Sequence, residues 1–337
     1  MEITRIVFPE KGRVTVESKD ETLEPKPGEV VIRTLYSLVS AGTELAKLTG
    51  LQTVPYPHFP GNRAVGKALA VGAGVKRVKP GDTVFAHTPH ASHAKTSGFC
   101  VPVPDGVRLE HAPAVGLALV SMTALRVGTP ELGDWAVVFG MGIVGNLAAQ
   151  FCALSGLEVI AVDNVASRLE VAQRCGIRHV VNSAEGNVVE RVLALTGPRG
   201  AEHVIEATGS PAVFETACGV AKRGGEVILV GSPRGEFQAD LTAALNHVHL
   251  WREHGSLTLK GAHEWRFPLY DDGFAKHSME RNAQVVFRLM QQGRLRLDGL
   301  ISHVVPAQDA ARAYDGLLAD KDTWVGVVFD WTDAVSG

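Results

Sequence analysis

The chain has 337 residues, 45% of them hydrophobic and 20% charged, the proportions of a globular protein of about two domains and not of a disordered scaffold or a disulfide-stapled mini-protein. Lys and Arg number 33 against 36 Asp and Glu, a formal charge of −3, which leaves no basic field for nonspecific binding of nucleic acid or an anionic membrane. Cys100, Cys152, Cys175 and Cys218 lie at least 23 residues apart, so there is no Cys-x-x-Cys knuckle and a reduced, cytoplasmic chain is expected.

Met1–Arg13 mixes acidic and basic residues without an apolar core, so no signal peptide is expected there. No apolar stretch reaches the ~18 residues of a membrane span. The first hundred residues are strand-like: Ile3–Phe8, Arg13–Glu17, Val30–Val39, Ala64–Gly72 and Thr83–Ala86 are divided by turn signals such as Lys26-Pro27-Gly28 and Lys79-Pro80-Gly81-Asp82. They predict an irregular all-β unit.

From Trp135 short apolar runs alternate with helical segments. Strands are expected at Trp135–Phe139, Val159–Val162, His179–Val181, His203–Ala207, Glu226–Val230 and Thr258–Lys260. Helices are expected between them, at Ile143–Ser155, Leu169–Arg174, Val188–Leu195 and Ala212–Lys222. Strands buried on both faces and separated by helices predict an α/β doubly wound parallel sheet that binds a nucleotide. The last seventy or so residues carry an amphipathic helix at Met279–Gln291, a strand at Ile301–Val305, a helix starting near Pro306 and a strand at Val325–Asp330. Strands so isolated need partners elsewhere, so this segment is expected to complete the N-terminal unit.

Gly140-Met141-Gly142-Ile143-Val144-Gly145 follows one predicted strand and opens a helix. In that context Gly140 permits the tight turn, Gly142 lets a pyrophosphate approach the backbone, and Gly145 lets helix and strand pack closely. A glycine-rich turn without a ligand is the plainer reading of the same residues. Asp163 ends the next strand 23 residues beyond Gly140, the separation at which a carboxylate hydrogen-bonds a ribose 2′-hydroxyl and repels a 2′-phosphate. NAD(H) is therefore expected ahead of NADP(H), with Asn164 beside the carboxylate and Arg168 keeping a positive charge near. Glu206-Ala207-Thr208-Gly209-Ser210 and Val230-Gly231-Ser232-Pro233 end later strands and suit the path of a dinucleotide, or are ordinary β–α loops.

With these segments in place, the chain resembles the medium-chain dehydrogenase/reductase superfamily over essentially its whole length. The resemblance is carried by Gly61-Asn62-Arg63-Ala64-Val65-Gly66, Val71-Gly72-Ala73-Gly74-Val75, Lys79-Pro80-Gly81-Asp82-Thr83-Val84, the glycine turn, Gly224-Gly225-Glu226-Val227 and Leu300-Ile301-Ser302-His303. It implies a GroES-like catalytic β-domain from residues 1–118 and 264–337, with a Rossmann domain over 119–263. Zinc-dependent members place ligands where this chain has Ala41, in Ala41-Gly42-Thr43-Glu44, and Asn62, in Gly61-Asn62-Arg63; Gly116–Leu119, where a third is expected, has neither Cys nor His. The family's four-cysteine structural lobe is also absent, so no zinc is expected.

A zinc-free site needs its own proton donor or positive dipole, or an activated double bond as substrate. Thr43 stands at the family's hydroxyl-relay position, although the usual relay His is Ala46 here. Asn62 is a candidate oxyanion donor, and Arg63 either binds a substrate carboxylate or pairs with Glu44. His87, His90 and His93 recur at spacing three, but Pro89 breaks any common helical face; His90, in a Pro-His-Ala run resembling one in zinc-free members, is a candidate acid or base. His263 follows a predicted strand as a candidate general acid or a loop cap. Tyr56, Phe59 and Trp265 either wall a pocket or pack a core.

The leading expectation is a zinc-independent NAD(H)-linked dehydrogenase acting between a secondary alcohol and a ketone on a polyol, sugar or natural-product skeleton. An enoyl or quinone reductase is the alternative, and a noncatalytic nucleotide-binding relative a third. By resemblance the chain is expected to be a homodimer paired through the edge strand Ser256–Lys260.

Overall fold

The structure is a computed structural model that describes residues 1–333. The chain divides into two compact units, Met1–Leu117 with Pro268–Gly337, and Ala118–Phe267. The return to the first unit falls after Phe267 and not at Glu264, because the short turn Glu264–Arg266, capped by His263, stays with the second. Residues 334–337 of the expected C-terminal segment lie outside the described residues.

The first unit opens with β1 (Glu2–Val7), β2 (Thr15–Asp20) and β3 (Val30–Leu38), followed by α1 (Ala41–Leu48). Then come β4 (Ala64–Val71), β5 (Thr83–Ala86), β6 (His93–Thr96) and β7 (Cys100–Pro102). Helix α1 corrects the all-β expectation. Glu44 from its first turn reaches back to the Ser40 N–H at 2.7 Å, closing the helix N-terminus in place of a side-chain cap at Ser40. Glu44, Ala46 and Leu48 are its buried positions, too short a pattern to stand out beside strand-rich flanks.

Helix α2 (Val115–Val127) contains the boundary between the units. The second unit continues β8 (Trp135–Phe139), α3 (Ile143–Leu154), β9 (Glu158–Asp163), α4 (Ala166–Arg174) and β10 (His179–Asn182). It ends with α5 (Val188–Thr196), β11 (Ala201–Glu206), α6 (Phe214–Val220), β12 (Ala221–Leu229), α7 (Leu241–His249) and β13 (Thr258–Gly261). Its strands form a parallel sheet in the order β10-β9-β8-β11-β12-β13, the Rossmann order, whose ligand crevice lies at the carboxyl ends where the order reverses, between β8 and β11. Alternate residues feed cores on opposite faces of the sheet: Ala136 and Val138 join Ala148 and Cys152, while Val137 and Phe139 join Val192 and Ala217. The expected helix Ala212–Lys222 stops at Val220, because Ala221 pairs with Ala201 and Lys222 reaches Glu202 at 2.7 Å, making both part of the strand. The expected edge strand begins at Thr258; Ser256 has φ 54° and cannot extend it.

The chain then returns to the first unit through α8 (Met279–Gln291), β14 (His303–Pro306), α9 (Ala310–Ala319) and β15 (Val327–Asp330). Here β15 pairs with β3 in the sheet ordered β14-β15-β3-β4-β5-β7, and β6 also pairs with β3. One core joins Ile6, Phe8 and Leu48 to Tyr314, Phe329 and Trp331, so the two ends of the sequence build this unit together.

Candidate active site

In the second unit, Gly140 has φ +89°, a left-handed conformation that favours glycine. A Cβ on Gly145 would lie 1.7 Å from the Gly140 carbonyl oxygen, whereas one on Gly142 would meet nothing within 4 Å. The turn is therefore closed where helix packs on strand and open where a phosphate would approach. Gly142 caps α3 without a side-chain hydrogen bond, so the N–H groups of Ile143 and Val144 are left to an anion at the positive end of a twelve-residue helix. Such a cradle fits a dinucleotide.

Asp163, buried at the end of β9, makes backbone contacts that its spacing did not reveal. Its Oδ2 accepts the Met141 N–H at 2.6 Å and its Oδ1 the Val165 N–H at 2.9 Å. Each oxygen keeps a further lone pair for a ribose hydroxyl. Asn164 is exposed beside it. The Nε of half-buried Arg168 is buried without a hydrogen-bond partner among the described residues. At the end of β11, Ala207 donates to the Phe139 carbonyl at 2.9 Å, which brings Ala207, Thr208 and Gly209 beside the glycine turn. Val230, Gly231 and Ser232 follow β12 alongside them: a Cβ on Gly231 would lie 2.2 Å from the Gly209 nitrogen.

The first unit holds the other candidates. Glu44 and His90 are 2% and 0% exposed, with Glu44 Oε2 3.1 Å from His90 Nε2. Tyr314 donates to Glu44 Oε2 at 2.5 Å, His90 Nδ1 lies 2.7 Å from Ser37 Oγ, and Trp331 Nε1 donates to the same Oγ at 2.8 Å. Burial pushes the Glu44 carboxyl up, but the attraction of His90 and the hydrogen bonds from His90, Tyr314 and the Ser40 N–H outweigh it and hold it below its ordinary range. Burial, with Glu44 next to it, drives the Tyr314 hydroxyl well above its usual value. The expected Arg63–Glu44 pair gives way to this network, because Glu44 is taken up by Ser40, His90 and Tyr314 while Arg63 places Nη1 3.3 Å from His87 Nε2. No signal in the sequence tied Ser37, Tyr314 or Trp331 to the site, since they come from strands and a helix far apart in the chain.

Gly61 has φ +98°, and a Cβ there would lie 2.5 Å from the His90 nitrogen and 2.7 Å from its ring. The imidazole thus supports the backbone that presents Asn62 and Arg63. Asn62 and Thr43 are half-buried, and Arg63 is buried. Burial first, and the Arg63 charge second, lower the His87 pKa to about 3, so its ring stays neutral. His93 sits in β6 with Nδ1 3.3 Å from Ser92 Oγ. The three histidines therefore face different partners, and among the described residues there is no group of three or more His, Cys, Asp or Glu able to hold a metal.

At the positions where the family resemblance puts zinc ligands, Ala41 and Gly116 bear no donor atom. A Cβ on Gly116 would lie 2.0 Å from Arg63 Cδ and 2.6 Å from its Nε. A cationic side chain occupies the space over Gly116, so these residues do not fit a zinc ion. His263 is exposed, and its Nδ1 faces the Trp265 N–H at 3.5 Å, the geometry of a loop cap. Tyr56 donates to the Lys47 carbonyl at 2.7 Å and packs against the core, whereas Phe59 and Trp265 are exposed.

The alcohol dehydrogenase GroES-like domain family matches residues 26–148, and the zinc-binding dehydrogenase family matches residues 144–266. The chain belongs to the medium-chain dehydrogenase/reductase superfamily. It is an enzyme of the NAD(P)-dependent dehydrogenase type found in that superfamily. It is 24% identical to an uncharacterized zinc-type alcohol dehydrogenase-like protein of Escherichia coli (strain K12), over 90% of this chain and 92% of that one. It is also 24% identical to D-xylulose reductase of Saccharomyces cerevisiae, over 92% of each. The fold matches galactitol-1-phosphate dehydrogenase from Escherichia coli with a TM-score of 0.84 at 20% identity, over 97% of this chain and 99% of that one.

Proposed function

We propose that this enzyme catalyses hydride exchange between NAD(H) and a secondary alcohol or ketone on a polyol, sugar or natural-product skeleton, and does so without zinc. The observation that carries the zinc-free part is Arg63 lying against Gly116, together with an Ala41 that has no donor. The resemblance to D-xylulose reductase and to galactitol-1-phosphate dehydrogenase supports a polyol or sugar substrate.

When bound, NAD(H) supplies or accepts the hydride. The amides of Ile143 and Val144 with Gly140, Gly142 and Gly145 hold its pyrophosphate, and Asp163 takes the ribose hydroxyls. The turns Ala207–Gly209 and Val230–Ser232 line the rest of its path. The half-buried Thr43 hydroxyl and Asn62 amide are the groups assigned to stabilise charge on the substrate oxygen, whereas Arg63, as buried as Glu44 and held against Gly116 and His87, shapes the site from behind. Glu44 and His90 are too deeply buried to touch substrate, and act by fixing Gly61-Asn62-Arg63. His263 is the remaining candidate acid, on the second unit.

We also infer a cytoplasmic location, for which the four free cysteines are the support, and a homodimer. The support for the homodimer is the edge strand β13, whose outer side pairs with no described strand and whose Leu259 is exposed, and the exposed Leu241, Leu245 and Trp251 on and after α7. Light scattering on the purified chain tests it, a monomer being the contrary result.

Titrations with NADH and NADPH, followed by a paired screen of NAD⁺ reduction over alcohols and sugars and of enone reduction, test the reading as a whole. The missing zinc donors also favour a second one, reduction of an enone or quinone, where the substrate's own carbonyl delocalises the charge. Turnover of enones alone would establish it, and tighter NADPH binding would overturn the Asp163 argument.

A further inference from the structure

Glu206 ends β11 and is 3% exposed. Its Oε1 accepts the Thr208 N–H at 2.6 Å, the Thr208 hydroxyl, and the Gly209 N–H at 3.2 Å; Oε2 is also 3.2 Å from that last nitrogen. Its backbone carbonyl accepts the Val230 N–H at 2.8 Å and the Gly231 N–H at 2.9 Å. One residue therefore holds the turn after β11 with its side chain and the turn after β12 with its main chain. The two turns are in backbone contact, since a Cβ on Gly209 would lie 2.6 Å from the Ser232 carbonyl oxygen. The first also abuts the glycine-rich turn, where a Cβ on Gly140 would lie 3.2 Å from the Thr208 nitrogen.

We propose that Glu206 is the positioning residue of the cofactor site, fixing the Thr208–Gly209 and Val230–Ser232 turns in the arrangement that receives the dinucleotide. The inference rests on the NAD(H) reading above. Burying a carboxyl among apolar strand residues is costly, and here burial pushes Glu206 up against the hydrogen bonds that lower it. The return is an acceptor that gathers three donors on one oxygen, so the turn is ordered before ligand arrives and less ordering remains to oppose binding. Glu206 touches no ligand itself. The position of the acceptor is what matters: Gln, with its oxygen in the place of Oε1, preserves most of the cradle, whereas Ala takes the acceptor away from the Thr208 and Gly209 N–H groups and leaves the turn unfixed.

The test is NADH titration by fluorescence on wild-type, E206A and E206Q protein, with thermal unfolding of each. E206A is expected to bind NADH about tenfold more weakly while unfolding cooperatively, and E206Q to stay within about threefold of wild type. T208V, which removes only the hydroxyl, decides the matter if E206A does not fold: weaker NADH binding supports the proposal and unchanged binding overturns it. E206A binding as tightly as wild type, or E206Q as weakly as E206A, overturns it and leaves the NAD(H) reading standing. Wild-type protein that binds neither NADH nor NADPH removes that reading and the proposal together.

Discussion

His90 Nε2 lies 3.1 Å from Glu44 Oε2 in the interior of the first unit, where neither residue is more than 2% exposed. The pair ties α1 to the segment before β6, and through Tyr314 and Trp331 it ties both to the C-terminal part of the chain. A buried pair of this kind adds little net stability over an apolar replacement, but removing one partner strands the other.

E44Q and H90L are each expected to lose about 3–5 kcal/mol of stability, read as a fall in the denaturant midpoint. The folded Glu44 pKa lies below its ordinary 4.5, so the ionised form contributes stability above that value and the contribution is lost as pH falls through the depressed one. Wild-type protein should accordingly show an acid limb that is flatter in E44Q. Equal acid limbs would contradict the network's assignment.

The proposed function gives Asp163 a second task beside its hydrogen bonds to the backbone, and D163A should expose both. Loss of the Met141 and Val165 hydrogen bonds loosens the glycine turn, and loss of charge removes the barrier to a 2′-phosphate. NADH affinity is expected to fall about tenfold, with NADPH affinity falling less, so that the preference narrows. Fluorescence titration with both nucleotides measures the ratio, and an unchanged ratio would remove Asp163 from cofactor selection.

His87 has a pKa of about 3 and should stay neutral across the range in which an unperturbed histidine titrates. Its imidazole resonances in an NMR pH titration are expected not to move between about pH 5 and 8. A break in the pH–rate profile within that range then belongs to another group and persists in H87Q. Loss of the break in H87Q would show that His87 carries a proton in the reaction.

Much of the nucleotide-binding unit was legible because its signals are local. Trp135–Phe139 is apolar throughout, Gly140, Gly142 and Gly145 follow at fixed spacing, and Asp163 closes the next strand, all within about thirty residues. Helix α1 was not legible, since eight residues with three buried positions carry too little periodicity. Nor was the Glu44 network: Tyr314 stands 270 residues from Glu44, and only β15 pairing with β3 brings the ends of the chain together. The Arg63–Glu44 pair seemed natural from charge alone, but Glu44 turns inward toward Ser40 and His90 while Arg63 lies along Gly116. Glu206 was visible only as part of a β–α turn; what it holds depends on the next strand over.

The most direct measurement is NAD⁺ reduction over a panel of polyols, sugars and secondary alcohols, made with chelator-treated protein whose zinc content is determined in the same sample. Zinc-free protein is expected to reduce NAD⁺ with a member of the panel, at a rate that added zinc does not raise. Activity that vanishes with the chelator and returns with about one zinc per chain would contradict the account.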